Sequence, residues 1–177
     1  PAPVHPDWDA PAHRWVHRPG GGALAPLHHP HAPALTDLLG VDAQKTALER
    51  NTRQFLAGLP ANHALLWGAR GTGKSTLVKA LAATYRAQGL RLIEVDRAHL
   101  VDLPDIAAAI AGRPERFVVY CDDLSFSGAD DAYKALKVAL DGSLASPDGN
   151  LLIYATSNRR HLLPELMEDN TRTRYEG

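Results

Sequence analysis

The stretch Gly68-Ala69-Arg70-Gly71-Thr72-Gly73-Lys74-Ser75 is a complete G-x-x-x-x-G-K-S pattern, and its flanks decide how it is read. The short apolar run Ala64-Leu65-Leu66-Trp67 precedes it, and Thr76-Leu77-Val78-Lys79-Ala80-Leu81 continues it as a helix. A strand passing through a glycine-rich loop into a helix is the setting in which this pattern binds phosphate. Glycines at 68, 71 and 73 let the backbone curl and turn its N–H groups inward. Those donors and the positive end of the helix favour a polyphosphate. Lys74 adds a mobile positive charge for the β- and γ-phosphates, and the Ser75 hydroxyl is placed to ligate Mg²⁺. The alternative, a glycine-rich turn that merely caps a helix, loses to the flanking strand and helix. The chain is expected to bind a nucleoside triphosphate.

At 177 residues the chain suits one ordinary domain with an appended arm. Its hydrophobic fraction of 45% is enough for a core. No run of about 18 apolar residues exists, so no membrane-spanning helix is expected. No basic flank followed by an apolar stretch marks a signal peptide. The chain starts at Pro1 rather than Met, which reads as a fragment or a processed chain. Cys121 is the single cysteine, which excludes an internal disulfide and fits a reducing cytosol, so a cytoplasmic location is expected. A net charge of −1 gives no electrostatic case for general nucleic-acid binding.

The first 33 residues differ from the rest. They hold eight of the thirteen prolines, six of the nine histidines and the run Gly20-Gly21-Gly22. Such a segment is expected to sustain neither a helix nor a ladder, so residues 1–33 read as an extended arm or linker and 34–177 as the core. Trp8, Trp15 and Leu27 could pin parts of it to the domain. Histidines 5, 13, 17, 28, 29 and 31 invite a metal reading, but their spacing is irregular and no cysteine or carboxylate cluster accompanies them.

From Leu35 onward the pattern is regular. Asp42 can cap a helix to about Leu56, ended by Gly58-Leu59-Pro60. The loop helix runs from about Gly73 to Gln88, burying Leu77, Val78, Leu81 and Tyr85. Further strands are expected at 91–95, 117–121 and 151–155, with helices over about 102–111 and 130–140. Strands 117–121 and 151–155 are apolar throughout, as strands covered on both faces must be. This alternation predicts an α/β, three-layer αβα fold with a mainly parallel sheet, its ligands at the carboxyl ends of the strands.

Two polar clusters stand at those ends. Phe117–Cys121 runs into Asp122-Asp123. Asp122 would act on Mg²⁺, mostly through water, because that ion dehydrates reluctantly. Asp123, one step further, could polarise the attacking water as a general base. The competing reading makes the pair a turn and a cap. The strand at 151–155 leads into Thr156-Ser157-Asn158-Arg159-Arg160. Asn158 both donates and accepts hydrogen bonds, and could orient the nucleophile against the γ-phosphate; a polar strand cap is the competing reading. Arg159 and Arg160 could contact phosphate, reach a neighbouring subunit, or be solvated.

With these motifs in order, the chain resembles an AAA+-type P-loop ATPase. The strings 65–75, Tyr120-Cys121-Asp122-Asp123-Leu124-Ser125-Phe126 and 154–162 are similar to a bacterial AAA+-like family catalogued as a domain of unknown function. The likeness spans about Leu35 to Arg174. The glycine loop is generic to a superfamily, whereas the second and third strings together are specific to that family. By that resemblance Leu38, Leu39, Gly40 and Val41 would pack near the adenine. Gly68, Ala69, Arg70, Gly71, Thr72 and Gly73, with Lys74, Ser75 and Thr76, would hold the phosphates and Mg²⁺. Asp122 and Asp123 would be the Walker B pair, and Asn158 the sensor-1 residue. Such proteins continue with a fifth strand, an arginine finger and a helical lid. Only nineteen residues follow Asn158, so the core is expected to be truncated after sensor 1, without a lid, and to bind nucleotide better than it hydrolyses it.

The leading expectation is therefore an ATPase core that binds Mg-ATP and couples slow hydrolysis to a conformational or assembly change. Lys74, Asp123 and Asn158 would carry the chemistry. ATP and ADP are the expected ligands, with a homo-oligomer and an unnamed protein as possible partners. An alternative is a nucleotide-dependent interaction module with little turnover. A third reading, a phosphotransferase, needs an acceptor pocket for which the sequence holds no signal.

Overall fold

The computed structural model describes residues 3–28, 30, 32–37, 42–67, 73–124, 131–143 and 149–157. Among these, strands β1 (Ala12–Arg18) and β2 (Gly21–Leu27) precede helix α1 (Asp42–Leu56). Then come β3 (Ala64–Trp67), α2 (Lys74–Thr84), β4 (Leu90–Glu94), α3 (Leu103–Ile110), β5 (Arg116–Cys121), α4 (Asp131–Val138) and β6 (Leu151–Ser157). The six strands form one sheet in the order β2-β1-β4-β5-β6-β3. The β1–β2 pair is antiparallel and every other pairing is parallel. The expected three-layer arrangement with a mainly parallel sheet is the one observed.

The pleat explains the layers. Along β5, Phe117, Val119 and Cys121 point to one core, where they meet Leu103, Ile106 and Ile110 of α3 and Leu136 of α4. Val118 and Tyr120 point to the other, against Leu48 and Phe55 of α1 and Leu77, Val78 and Leu81 of α2. Side chains alternate across a strand, so a fully apolar run is what two covered faces require. Tyr85 is buried as expected, but α2 itself stops at Thr84 and a short 3-10 turn continues over Arg86–Gln88.

The reading that residues 1–33 cannot enter a ladder is corrected. β1 pairs with β4 through Ala12↔Leu92 to Arg14↔Glu94, and β2 closes the hairpin at the sheet edge. Local composition misleads here because tertiary partners offset it. Pro26 sits in an outermost strand, where a missing N–H is tolerated. Trp15 is buried in the core and lies against Gly22, where an added Cβ would come 2.0 Å from the indole ring. A glycine is needed there because the tryptophan occupies the space. Trp8 meets Phe117 edge-on at 5.9 Å and carries the Arg113 guanidinium 4.6 Å above its ring. His13 is fully buried and accepts the Asp7 N–H at 3.1 Å, while His28 pairs with Asp7 at 2.8 Å. Among the described residues, no three His, Cys, Asp or Glu side chains group so as to hold a metal ion, and no helix is long and apolar enough to cross a membrane.

Candidate functional site

Helix α2 starts immediately after Gly73, whose φ of 84° lies in the left-handed region where a side chain would be strained. The first intrahelical bond runs from the Leu77 N–H to the Gly73 carbonyl at 2.9 Å. The amides of Lys74, Ser75 and Thr76 therefore belong to the open first turn, whose N–H groups and dipole favour an anion. The Thr76 hydroxyl turns back to the Gly73 carbonyl at 2.8 Å. Lys74 is only 8% exposed.

Strand pairing brings the acidic motif to this helix start. β5 and β6 run parallel with Tyr120 beside Tyr154 and Cys121 beside Ala155. Tyr120 and Tyr154 both face the α1/α2 core, so two residues on, Asp122 and Thr156 are carried to the same side. There the Ser75 hydroxyl donates to Asp122 Oδ1 at 2.8 Å, and the Thr156 hydroxyl donates to the same oxygen at 2.5 Å. Burial would raise the Asp122 carboxyl, but the Thr156 and Ser75 hydroxyls outweigh it and hold it below the usual carboxylate range. An ionised carboxylate beside a serine hydroxyl is a hard-oxygen donor set, which fits Mg²⁺.

Asp123 takes the other direction. Its φ of 56° makes it left-handed, the one such non-glycine among the described residues. The Thr156 Oγ1 accepts its N–H at 3.0 Å, and the Thr156 carbonyl accepts the Leu124 N–H at 2.8 Å. Burial, and the neighbouring Asp122 carboxylate, push the Tyr120 phenol above its ordinary range. The Tyr120 hydroxyl sits beside this cluster without a hydrogen bond of regular geometry to any described residue. Cys121 faces the opposite core, and burial with Asp96 and Asp122 nearby pushes its thiol up to about 12. Thiolate chemistry is thereby suppressed at this strand end.

Of the residues singled out from the sequence, Ser75 and Asp122 meet directly, and Asp123 emerges beside them. Gly68, Ala69, Arg70, Gly71 and Thr72, the segment Leu38, Leu39, Gly40 and Val41, and Asn158, Arg159 and Arg160 lie outside the described residues. Sequence reasoning missed Tyr120 and Thr156. The apolar alternation of β5 and β6 already placed both on one face, but only the pairing register sets them beside Asp122.

The family described as "Protein of unknown function (DUF815)" matches residues 9–176. No curated protein matches the chain. Similar solved structures include a Trip13-containing complex with HORMA and CdnC from E. coli MS115-1, 13% identical with a TM-score of 0.59 over 77% of this chain and 62% of that one. A RuvB variant from Thermotoga maritima is 22% identical, with a TM-score of 0.54 over 77% of this chain and 45% of that one. AMPPCP-bound DnaA from Aquifex aeolicus is 18% identical, with a TM-score of 0.52 over 81% of this chain and 47% of that one. The chain thus spans between 45% and 62% of the length of these structures. At such identities the likeness establishes the fold alone, the three-layer αβα arrangement with a mainly parallel sheet.

Proposed function

The chain belongs to the DUF815 family, and from that premise we propose that it binds Mg-ATP at the start of α2 and hydrolyses it slowly to ADP and phosphate. The observation that carries this reading is the 2.8 Å contact between Ser75, on the first turn of α2, and Asp122, at the end of β5. A phosphate-loop serine held against an ionised strand-end carboxylate is the arrangement a triphosphate with its dication requires.

In this reading the amides of residues 68–76 and the Lys74 ammonium hold the phosphates. Ser75 and Asp122 hold Mg²⁺, which when bound neutralises charge building on the phosphate oxygens. Asp123 takes the proton of the attacking water, and Asn158 orients that water. Leu39, Gly40 and Val41 pack by the base. Turnover drives a conformational or assembly change, with Arg159 or Arg160 available to a neighbouring copy in a homo-oligomer.

The test is steady-state phosphate release from Mg-ATP across a wide range of protein concentration, with nucleotide affinity measured in parallel. Lys74→Ala should weaken ATP binding by about two orders of magnitude, the value of a lost charge-assisted phosphate contact. Asp123→Asn should keep binding and lose turnover. Unchanged affinity in the first variant would overturn the phosphate assignment, and unchanged turnover in the second would remove Asp123 as the base. Tight binding with no release at any concentration would make the chain a nucleotide-dependent interaction module instead.

A further inference from the structure

Asp122 and Asp123 leave β5 in different directions, and one residue of the neighbouring strand holds both. Asp122 continues the pleat toward α2, whereas Asp123 turns into left-handed backbone at φ 56°. Thr156 donates its hydroxyl proton to Asp122 Oδ1 at 2.5 Å and accepts the Asp123 N–H on the same oxygen at 3.0 Å. Its carbonyl accepts the next amide, Leu124 N–H, at 2.8 Å. A hydroxyl has one proton and two lone pairs. An ionised carboxylate only accepts and an amide N–H only donates, so the direction of each bond is fixed.

Thr156 is 2% exposed and β-branched, with few rotamers open to it. Strand-end threonines commonly bond backbone within their own turn. Here the hydroxyl instead bonds a carboxylate 34 residues away, on the strand next door. Ser75 reaches the same carboxylate oxygen from α2, so three elements converge on Asp122.

We propose that Thr156 is a positioning residue of the nucleotide site. It orients the Asp122 carboxylate for the dication that accompanies the triphosphate, and it clamps the Asp123 turn, so the ends of β5 and β6 move as one unit. This rests on the nucleotide-binding reading above. Partners that orient a metal ligand commonly change metal affinity by about 10–100-fold when removed.

The experiment is a Mg²⁺ titration of ATP affinity on the whole chain, with thermal melting alongside, for wild type, Thr156→Val, Thr156→Ser and Asp122→Asn. Thr156→Val should raise the half-saturating Mg²⁺ concentration about tenfold or more while Mg²⁺-free ATP affinity stays within about twofold, and Thr156→Ser should restore the wild-type value. A wild-type Mg²⁺ response in Thr156→Val, beside a lost response in Asp122→Asn, would overturn the positioning role and leave the nucleotide reading standing. An unchanged response in Asp122→Asn would overturn both. Should Thr156→Val fail to fold, Thr156→Ser against Thr156→Ala isolates the hydroxyl, and equal Mg²⁺ responses in that pair would overturn the proposal.

Discussion

Two carboxylates in this molecule each accept two donors from distant parts of the chain, one in the middle of the sheet and one at the hairpin edge. Asp122 takes hydroxyl protons from Ser75 and Thr156. Asp102, just before α3, takes the Trp15 indole N–H at 2.9 Å and pairs with His17, whose ring stacks on His99 with centroids 4.0 Å apart. Burial would raise both acids, yet their donors hold both below the usual carboxylate range. The difference lies in the donors. Hydroxyls keep their protons at any working pH, so the two donors on Asp122 stay in place throughout. Asp102 leans on the Trp15 indole and on an imidazole that is half exposed at the sheet edge. One carboxylate ties the start of α2 to the end of β6, and the other docks the hairpin.

The sharpest way to separate the two regions is Trp15→Ala. It should cost about 3–5 kcal/mol of stability, as truncating a buried tryptophan does, because the ring fills the space between hairpin and α3. Mg-ATP affinity of the folded protein should not move. Urea unfolding and nucleotide binding on one preparation check this, and a large loss of affinity below the unfolding range would break the separation.

Acid should come next in size and act on the other half of the sheet. His63, just before β3, accepts the Ile153 N–H of β6 through Nδ1 at 2.9 Å. Burial lowers it from 6.5 to about 4. A base whose folded value is depressed leaves the unfolded chain binding more protons, so its contribution is intact above about pH 6.5 and is lost as pH falls toward 4. The full loss is on the order of 3 kcal/mol. Buried His13 is shifted in the same direction. Asp102 contributes in the opposite regime: its depressed value adds stability above the ordinary carboxylate range that is lost only in stronger acid. Unfolding free energies between pH 7 and 4.5 should therefore slope less in His63→Asn than in wild type. Equal slopes would remove His63 as the cause.

The smallest effect expected is Gly22→Ala, which sets a methyl against the Trp15 ring. Overpacking of this kind costs about 1–3 kcal/mol. A melting temperature equal to wild type would show that the hairpin yields more readily than its burial implies, and would narrow the contrast with the central strands.

What could be read beforehand divides along the same line. The runs Phe117–Cys121 and Leu151–Ala155 are apolar without interruption, and a run covered on both faces carries its own signature. Helix α1 was legible for a similar reason, with Leu48 and Phe55 on one face and Gly58 after its end. The hairpin was not legible: Ala12-His13-Arg14-Trp15-Val16-His17-Arg18 mixes basic and apolar residues, and the buried position of His13 depends on an amide of Asp7. Its proline and glycine content signals disorder to any local rule. Thr156 looked like an ordinary polar strand end.

The sequence by itself determined the phosphate-loop pattern and the alternation of strands and helices, and it marked Ser75 and Asp122 within two separate motifs, because each motif is written in residues a few positions apart. Only the tertiary structure decided that the proline-rich segment completes the sheet and that Thr156 holds both aspartates. Those outcomes rest on hydrogen bonds and packing between residues 33 to 87 positions apart, and such partners acquire a direction and a distance only when strand register is set.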